Sequence, residues 1–597
     1  MKKREQRKRN EHELLRAYVR PQRAQIAQAG SLKALGTLLE VALPMMLAQM
    51  VNVVIPTEEK KSILLWGTLM IACSFAAWFF NIRANRRISR LTTRAVSQMR
   101  TDLFDRSLRL SAGQLDRLSI ASLETRLTTD TYAIHQFLGA TLRMGVRSIL
   151  LFTGGVISCL YLSPRLSLVL FFLILPLTAS VRRIMRKGRP LILNSREKTD
   201  EMVQVIRENI RGIRVSKALD KTRDEEKRFQ GFNQNVFEAE IKAIFQMIKL
   251  GPAVDLILFS GMTLVLVFGA WMAKNHEMLP GTIMAFLSYF IQITNSLMGL
   301  NRMFIIYNRA SVSALRIQEI LSLPEDSVEH SLLQEGEEPL HLPEASAEVA
   351  EIEFQNVSFR YHEAEGGQKT LEGISFSLFP GEHLGIMGAT GSGKSTVIRL
   401  ILRQYDIQEG QILIRGVPIT KIDPGELRQL FAVVFQNDFL FSGSVRENID
   451  FGRELSDREL MRAASAAQAE DFIEEKGGLG AEVASKGVNL SGGQKQRLIV
   501  SRALARKGDI LLLDDASSAL DFATEARLRK ALAERQPAQT MITIAQRISS
   551  IRHADQILFL DKGRAIAIGS HEELLRTCLP YREIAAMQGE YEEAVSC

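Results

Sequence analysis

Six apolar segments in the first half of the chain constrain its fold more than any other feature of the sequence. A helix needs about 20 mostly apolar residues to cross the hydrocarbon core of a bilayer, and each segment can supply a helix of about that length. The first segment also contains Glu40, Pro44, Gln49 and Asn52, so its polar side is expected to face the interior of a bundle. The predicted span cores are residues 32–55, 62–80, 144–162, 166–181, 253–273 and 282–307.

The connections between the spans alternate between short and long, which predicts the orientation of the chain. Three are short hairpins, at residues 57–61, 163–165 and 274–280. The other two, residues 81–143 and 182–249, favour helices and are rich in Arg and Lys. Because basic residues are retained on the cytoplasmic side, both long connections and both termini are predicted to be cytosolic. The long connections are too long for simple loops, so we expect helices that continue the spans into the cytosol.

The basic residues lie beside the apolar segments rather than along one soluble face. The formal net charge is +8, and the chain begins with MKKREQRKRN. This placement favours a membrane surface over nucleic acid as the binding partner. Residues 1–30 lack the pattern of a signal peptide, and we interpret them as a basic cytosolic arm with an elbow helix at the membrane interface. A disordered solubilising tail is the alternative for the residues before Glu11.

The four cysteines do not form a recognisable metal or disulfide pattern. Two lie within apolar runs and two near the end of the chain, and none belongs to a CxxC motif. We therefore expect free thiols at Cys73, Cys159, Cys578 and Cys597.

The character of the chain changes after residue 320. Residues 321–348 are acidic and contain proline, as is typical of a linker, and residues 349–597 have the pattern of a soluble α/β domain. The run EIEFQNVSFRY alternates as a strand, while HLGIMG and ILLLDD are short apolar runs typical of buried strands. Residues 31–320 are accordingly interpreted as a transmembrane domain and residues 349–597 as a separate soluble domain.

A glycine-rich loop indicates the chemistry of the soluble domain. The sequence GATGSGKS follows the strand HLGIM and opens a helix, which is the context of a phosphate-binding P-loop. Its glycines let backbone N–H groups approach phosphate oxygens, Lys394 reaches the β- and γ-phosphates, and the Ser395 hydroxyl ligates Mg²⁺. The residues expected to bind ATP are Gly388, Ala389, Thr390, Gly391, Ser392, Gly393, Lys394, Ser395 and Thr396.

The predicted fold class follows from both halves of the chain. It is an α-helical six-helix transmembrane bundle with long cytoplasmic helical extensions, followed by an α/β P-loop nucleotide-binding domain. The expected cofactors are ATP and Mg²⁺.

A second motif, LSGGQ at residues 490–494, narrows the class, because a P-loop alone also occurs in kinases, helicases and GTPases. With this motif the chain resembles the ABC transporter family. The resemblance implies a head-to-tail dimer that holds two nucleotides between its subunits, with each signature facing the nucleotide of the opposite subunit at a helix N-terminus suited to anions. The residues implied to bind ATP in trans are Ser491, Gly492, Gly493 and Gln494.

The same resemblance assigns further roles around the nucleotide. Tyr361 is implied to stack on adenine, with packing in the core as the alternative. Gln436 is implied to contact Mg²⁺ and to couple to the membrane helices, and Asp514 to hold the Mg²⁺ shell together with Ser395. Residues 518–521 resemble the D-loop of the family.

Two positions depart from the family pattern, and both belong to one composite site. Asp515 stands where the family has its general-base glutamate, so its carboxylate is withdrawn by about one C–C bond. Gln546 stands where the family has its switch histidine, and an amide can bind a phosphate oxygen but cannot become a cation near neutral pH. We therefore expect this site to bind ATP and to hydrolyse it slowly. Ser485, where the family often has Glu, puts one contact to the membrane domain in doubt.

A degenerate catalytic pair beside a complete signature resembles one half of a heterodimeric bacterial multidrug exporter. The resemblance implies a second, non-identical half-transporter as partner, a lipid bilayer of the bacterial cytoplasmic membrane, and an amphipathic small molecule as substrate. It also places coupling helices near residues 119–129 and 212–219, where ordinary hairpin tips are the alternative.

Other functions are weighed against this one. A lipid or peptide exporter would use the same machinery, and a nucleotide-sensing regulatory subunit would bind ATP without transport. A pure sensor needs neither a polar first span nor a signature that acts in trans. A soluble ABC ATPase of repair or translation is excluded by the six spans, and no nucleic-acid partner is expected.

Two acidic residues lie inside apolar segments, where a carboxylate is by default a functional hypothesis. Glu40 either lines a cavity that receives cationic amphiphiles or makes a hydrogen bond that packs helices. Asp255 is near the cytoplasmic end of its span, where a structural pairing is expected.

Overall fold

The chain forms two compact units. The computed structural model describes residues 14, 16–324, 340–361, 369–534 and 539–590. The first unit contains Met1–Asp105 and Glu124–Ser322, and the second contains Arg106–Leu123 and Leu323–Cys597. The sequence suggests a boundary near residue 320, but Arg106–Leu123 groups with the C-terminal residues because its short helix hydrogen-bonds to them.

Six helical segments are long and apolar enough to cross a membrane, which confirms the predicted number. The second contains 49 residues and the fourth 55, which correspond to about 74 and 82 Å at 1.5 Å per residue. Both helices therefore continue far beyond a hydrocarbon core of about 30 Å, so the predicted extensions are confirmed. The helices of this half are α1 (Arg23–Gln49), α2 (Lys60–Leu108), α3 (Ala112–Leu118), α4 (Ile120–Thr125), α5 (Thr131–Ala140), α6 (Val146–Leu162), α7 (Pro164–Ala218), α8 (Thr222–Met247), α9 (Leu250–Lys274) and α10 (Pro280–Leu321).

The hairpin between α6 and α7 is as short as a helical hairpin can be. Ser163 has extended backbone angles that end α6, and its hydroxyl accepts a hydrogen bond from the N–H of Leu166 at 3.3 Å. Pro164 occupies the first position of α7, where its missing N–H costs nothing. One serine thus terminates one span and caps the next.

Glycines let the spans approach closely within the bundle. A Cβ at Gly154 would lie 3.2 Å from Val41, and one at Gly155 would lie 2.9 Å from Ile293. Small residues at such contacts are the usual means of tight helix packing in a membrane. The buried Tyr289 donates from its hydroxyl to the carbonyl of Val41 at 2.6 Å, which satisfies its polar atom within the bundle.

The segments suggested by the family resemblance lie at or beside the tips of the two long helical hairpins. In the first hairpin two short helices follow α2: α3, which Ser111 caps through a reciprocal hydrogen-bond pair with Gln114, and α4, which lies within residues 119–129. In the second, residues 212–219 are the last turns of α7 and its C-cap, and the turn itself falls at Leu219–Lys221.

The C-terminal half contains a mostly parallel sheet of six strands and an antiparallel sheet of four. Their order is β12-β11-β3-β10-β9-β6 and β2-β1-β4-β5, and apolar side chains of both sheets form one buried core. The strands are β1 (Ile352–Phe359), β2 (Leu371–Leu378), β3 (His383–Gly388), β4 (Glu409–Ile414), β5 (Val417–Pro418), β6 (Phe431–Val434), β7 (Gly443–Ser444), β8 (Glu482–Val483), β9 (Ile510–Asp514), β10 (Thr540–Ile544), β11 (Gln556–Asp561) and β12 (Arg564–Gly569).

Ten helices surround these sheets within the described residues. They are α11 (Lys394–Ile401), α12 (Pro424–Leu430), α13 (Val445–Asp450), α14 (Asp457–Ala466), α15 (Glu470–Glu475), α16 (Gly492–Leu504), α17 (Phe522–Ala533), α18 (Ile548–Ile551), α19 (His571–Thr577) and α20 (Leu579–Met587).

Candidate nucleotide site

The carboxyl ends of four parallel strands converge on one edge of the six-stranded sheet. The P-loop begins at the end of β3, and Asp514 is the last residue of β9. Gln436 follows β6 by two residues, and Gln546 follows β10 by two. Ligands of open α/β sheets bind at this edge, so the topology brings the predicted nucleotide-site residues together.

The P-loop can only be built with glycine at its key positions. Gly388 has φ +154°, and a Cβ there would lie 2.0 Å from the carbonyl oxygen of Leu560. Gly393 has φ +100°, and a Cβ there would meet Leu371 at 2.5 Å. Any side chain at either position would force the loop open, and the loop would then no longer enclose an anion.

The polar groups of the loop suit a phosphate. Lys394 donates from Nζ to the carbonyl oxygens of Gly388 and Ala389, both at 2.8 Å, which holds its charge over the loop. The Ser392 hydroxyl is buried and has no hydrogen-bond partner among the described residues. Helix α11 begins at Lys394 without a side-chain cap, so its first amides are available to an anion.

A hydroxyl and a carboxylate beside the loop fit a hard cation. Ser395 donates from Oγ to Oδ1 of Asp514 at 3.1 Å. Burial raises the pKa of Asp514, the hydrogen bond from Ser395 opposes this shift, and the neighbouring Asp515 adds to it. Mg²⁺ is usually held by one or two carboxylates together with substrate phosphates, so these two side chains are suited to that ion.

Asp515 is held in an unusual backbone conformation between two amide side chains. Its φ is +54°, a region that Asp tolerates better than most residues. Gln546 donates from Nε2 to Oδ2 of Asp515 at 3.2 Å, and the Gln436 amide is also hydrogen-bonded to this carboxyl group. Burial raises the pKa of Asp515, while the charges of Lys394 and Arg547 lower it.

Tyr361 belongs to a group of three aromatic side chains beside the helix that follows the P-loop. Its ring lies 4.9 Å from that of Phe359 and 5.1 Å from that of Tyr405, measured between centroids. Its hydroxyl is 3.2 Å from Thr396 Oγ1 and accepts a hydrogen bond from Arg399. The ring is half-buried, so one part packs in the domain while the rest remains accessible.

The signature segment forms the N-terminus of α16. Ser491 is the N-cap and makes a capping box with Gln494, in which the serine hydroxyl accepts from the Gln494 N–H at 3.3 Å. Ser491 and Gly492 are exposed. This helix N-terminus therefore faces outward, as expected for a group that binds an anion on another molecule.

Gln496, which sequence reasoning missed, connects the signature helix to the segment that follows β9. Its side chain donates to the backbone oxygen of Asp515 at 3.0 Å and accepts from the N–H of Ala519 at 2.8 Å. Ala519 lies in the predicted D-loop. The position of Gln496 two residues after LSGGQ is the only sequence signal that could have identified this role.

Sequence reasoning also missed the contact made by the short helix α3. Asp116 on α3 accepts a hydrogen bond from the hydroxyl of Tyr405 at 2.6 Å, and the Tyr405 ring packs against Tyr361. Both residues belong to the second compact unit. A segment of the first half of the chain is thereby linked to the aromatic group beside the P-loop.

Glu40 lies in the first unit and is not part of the nucleotide site. Its carboxylate accepts a hydrogen bond from Asn81 at 3.0 Å and forms an ion pair with Arg147 at 3.0 Å. These contacts join α1, α2 and α6. Asp255 is exposed on α9 and has no hydrogen-bond or ion-pair partner among the residues that the structure describes.

A membrane-embedded bundle joined to a P-loop domain that carries an LSGGQ helix defines an ABC-type transport ATPase. Known proteins agree: the family described as ABC transporter transmembrane region matches residues 27–297, and the ABC transporter family matches residues 371–518. The chain is 34% identical to the uncharacterized ABC transporter ATP-binding protein YfiB of Bacillus subtilis over 94% of this chain and 95% of that protein. It belongs to the ABC transporters.

Two further similarities extend over most of the chain. The putative ABC transporter ATP-binding protein exp8 of Streptococcus pneumoniae is 30% identical over 84% of this chain and 85% of its own length. A bacterial Atm1-family ABC exporter with ATP bound has a TM-score of 0.76 and 25% identity, covering 96% of this chain and 99% of that one. The chain is a multi-pass membrane protein with the fold of an ATP-driven ABC exporter, and its ABC domain implies ATP binding.

Proposed function

We propose that this chain is one half of a heterodimeric exporter of hydrophobic or amphipathic compounds and that its own ATP site is catalytically degenerate. The observation that carries the proposal is the Asp515–Gln546 pair, in which a neutral amide holds the carboxylate in the place of the catalytic base. The protein lies in the bacterial cytoplasmic membrane, with both termini and the long helical extensions in the cytosol.

The geometry of Asp515 supports slow hydrolysis. A general base must come within about 2.6–3.2 Å of the proton that it accepts, directly or through one water. The aspartate is shorter than glutamate by one methylene, and its carboxyl group is already hydrogen-bonded to the amides of Gln436 and Gln546 instead of being free to accept a proton from water. Gln546 also cannot supply the positive charge of a protonated histidine. Loss of a general base costs about 10²- to 10⁴-fold in rate.

The residues for binding ATP are retained. Lys394 and the loop amides hold the phosphates, Tyr361 stacks on the base, and Ser395 with Asp514 and Gln436 positions Mg²⁺. When bound, Mg²⁺ neutralises charge on the β- and γ-phosphates. The exposed N-terminus of α16 serves the competent site of the partner. ATP binding then shifts the population of the dimer toward closed nucleotide-binding domains and an outward-open bundle, and hydrolysis at the partner's site resets it.

The experiment compares the chain alone with the chain coexpressed with candidate half-transporters from the same genome. Alone, it should bind a fluorescent ATP analogue in a Lys394-dependent way and hydrolyse ATP slowly. In the heterodimer, Asp515→Asn should change turnover by less than about threefold. Ser491→Ala should lower turnover by about tenfold or more, because it removes a group that binds the partner's nucleotide.

Ser456→Ala is the matched control for the signature variant. Ser456 is also an exposed N-cap with a capping box, at the start of α14, so its loss costs a similar cap energy of about 1 kcal/mol. If both variants lowered turnover equally, the signature effect would be one of folding only. Fast hydrolysis by the purified chain alone, lost on Asp515→Asn, would show that Asp515 is a working base and would refute the proposal.

A further inference from the structure

A polar network crosses three helices inside the membrane bundle. Lys33 on α1 donates from Nζ to Oδ1 of Asn81 at 2.6 Å and to Asn85 at 3.3 Å. The amide of Asn81 donates to Oε1 of Glu40 at 3.0 Å, and Arg147 on α6 donates from Nε to Oε2 of Glu40 at 3.1 Å. Lysine and arginine on two different helices are therefore connected through one carboxylate and its amide neighbour.

The carboxylate of this network is placed within the span rather than among the headgroups. Val41, the residue after Glu40, packs against Gly154 and accepts the hydroxyl hydrogen bond of Tyr289. Gly154 is eight residues from the end of α6 at Leu162, which corresponds to about 12 Å along the helix. A hydrocarbon core is about 30 Å thick, so this level is well inside it.

The network carries more positive than negative charge. Glu40 is its single carboxylate, and that carboxylate is already paired with Arg147. Lys33 is 4% exposed and is held by neutral amides, while Arg143 and Arg147 both lie close enough to repel its charge. The three cations Lys33, Arg143 and Arg147 therefore outnumber the single carboxylate. Ionised groups in a membrane span are costly, so an excess of one sign points to a ligand of the opposite sign.

Arg147 is the member of the network best placed to meet a ligand. Its side chain is 49% exposed although it lies in a span. Two of its five N–H donors, on Nε and one Nη, point at Glu40. The remaining guanidinium donors retain the planar geometry that binds a carboxylate, sulfonate or phosphate group with two hydrogen bonds.

We propose that Arg147, oriented by Glu40 and reinforced by Lys33 and Arg143, is the anion-recognition group of the substrate site. The exported compounds then carry a carboxylate, sulfonate or phosphate on an apolar body. This inference rests on the proposed export function and specifies its substrate class. A cationic compound would have to approach a carboxylate that is already paired, against the repulsion of three nearby cations. Glu40 acts as a positioning residue, not as the ligand for substrate.

The test uses two dyes that share a xanthene body and differ in charge, the anionic carboxyfluorescein and the cationic rhodamine 123. ATP-dependent uptake is measured in inside-out vesicles from the native host, deleted for this gene and complemented with each variant. The wild type should accumulate the anionic dye. Arg147→Gln should raise the apparent KM for the anionic dye by about tenfold or more. Arg147→Lys should have a smaller effect, because lysine keeps the positive charge but lacks the planar guanidinium that makes two hydrogen bonds. Arg165→Gln, which breaks the ion pair with Glu277 near the outer hairpin, should leave uptake unchanged.

Glu40→Gln distinguishes a network that binds anionic substrates through Arg147 from one that binds cationic substrates through Glu40. This test does not depend on the folding of Arg147 variants. If the inference is correct, this variant raises the apparent KM for the anionic dye less than Arg147→Gln does, because it loosens the guanidinium but keeps its positive charge. Preferential uptake of the cationic dye, abolished by Glu40→Gln, would overturn the inference while leaving the export function intact. If neither dye shows uptake that depends on this gene, the export function itself fails.

A lipid headgroup has the same anionic chemistry as the proposed substrate. Binding of carboxyfluorescein by the purified transporter is therefore measured by fluorescence polarisation in nanodiscs of phosphatidylcholine, with and without phosphatidylglycerol. Arg147-dependent binding that persists in both lipids supports a substrate site. Binding lost when phosphatidylglycerol is present would assign the network to lipid and overturn the inference.

Discussion

If the ATP site of this chain hydrolyses slowly, as proposed, introducing the two family-typical residues by Asp515→Glu with Gln546→His should make it a working one. The Asp515 carboxylate lies 3.2 Å from the Gln546 amide. Glutamate would carry its carboxylate about 1.5 Å further along, the length of one C–C bond. A positioned general base contributes about 10²- to 10⁴-fold, which corresponds to about 2.7–5.5 kcal/mol of barrier. We expect a rate increase toward the lower end of this range, because the other residues of the site are arranged around an aspartate and not around a glutamate.

The backbone conformation of residue 515 opposes this gain, because glutamate is less stable than aspartate at a positive φ. Its φ of +54° suits aspartate, whereas a residue without a short polar side chain pays about 1 kcal/mol there. That cost is smaller than the expected catalytic term, so hydrolysis should rise although stability falls. Asp220 has a similar φ of +51° in the turn after α7, so Asp220→Glu should lower stability in the same way without raising hydrolysis.

The assay is single-turnover hydrolysis by the purified chain without a partner, for both single variants, the double variant and the Asp220→Glu control. The single variants should gain less than the double variant, because base and switch act on the same water and phosphate. The reasoning is refuted if the double variant binds ATP with unchanged affinity and hydrolyses it no faster than the wild type.

Three further predictions address topology, coupling and pH. In a background without native cysteines, an impermeant reagent should label Asn275→Cys in intact cells, but Ile120→Cys only after permeabilisation. Tyr405→Phe removes the hydrogen bond to Asp116 and should lower substrate-stimulated ATPase by about threefold while basal ATPase is kept, which paired ATPase assays would measure. Burial lowers the pKa of His383 to about 4, below the unfolded value of 6.5, so its contribution is complete above pH 6.5 and declines toward pH 4. Unfolding at pH 7 and pH 5 should show a loss of about 2 kcal/mol that His383→Gln removes.

The architecture could be predicted from the sequence because its signals are local. Each span is a continuous apolar run, and short hairpins such as the one at Ser163 follow directly from the end of one run and the start of the next. The P-loop is likewise one continuous segment, and its glycines indicate a loop conformation that other residues cannot adopt. The grouping of α3 with the second unit has no such local signal, because α3 is joined to that unit through Tyr405, a contact across 289 positions of the chain.

The partners of individual side chains could not be predicted for the same physical reason. Glu40 was identified as unusual, but the helix crossing that brings Arg147 to it spans 107 positions and leaves no pattern in the sequence. The sign of the charge around such a carboxylate decides between two roles. The carboxylate either binds a cationic substrate or orients a basic side chain of the protein. That sign depends on Lys33 and Arg143, each of which looks like an ordinary flanking basic residue when it is considered alone.

The nucleotide site and the signature segment of this chain are parts of one hydrogen-bonded assembly. Gln496 on the signature helix holds the backbone of Asp515 on one side and of Ala519 on the other, and the Ser518 hydroxyl also donates to the Asp515 oxygen at 3.0 Å. A substitution that removes the base but preserves these backbone bonds leaves the signature helix supported. Replacing glutamate by aspartate is such a change, because it shortens the side chain and suits a positive φ. The proposed loss of hydrolysis at the site of this chain is therefore compatible with an intact signature helix.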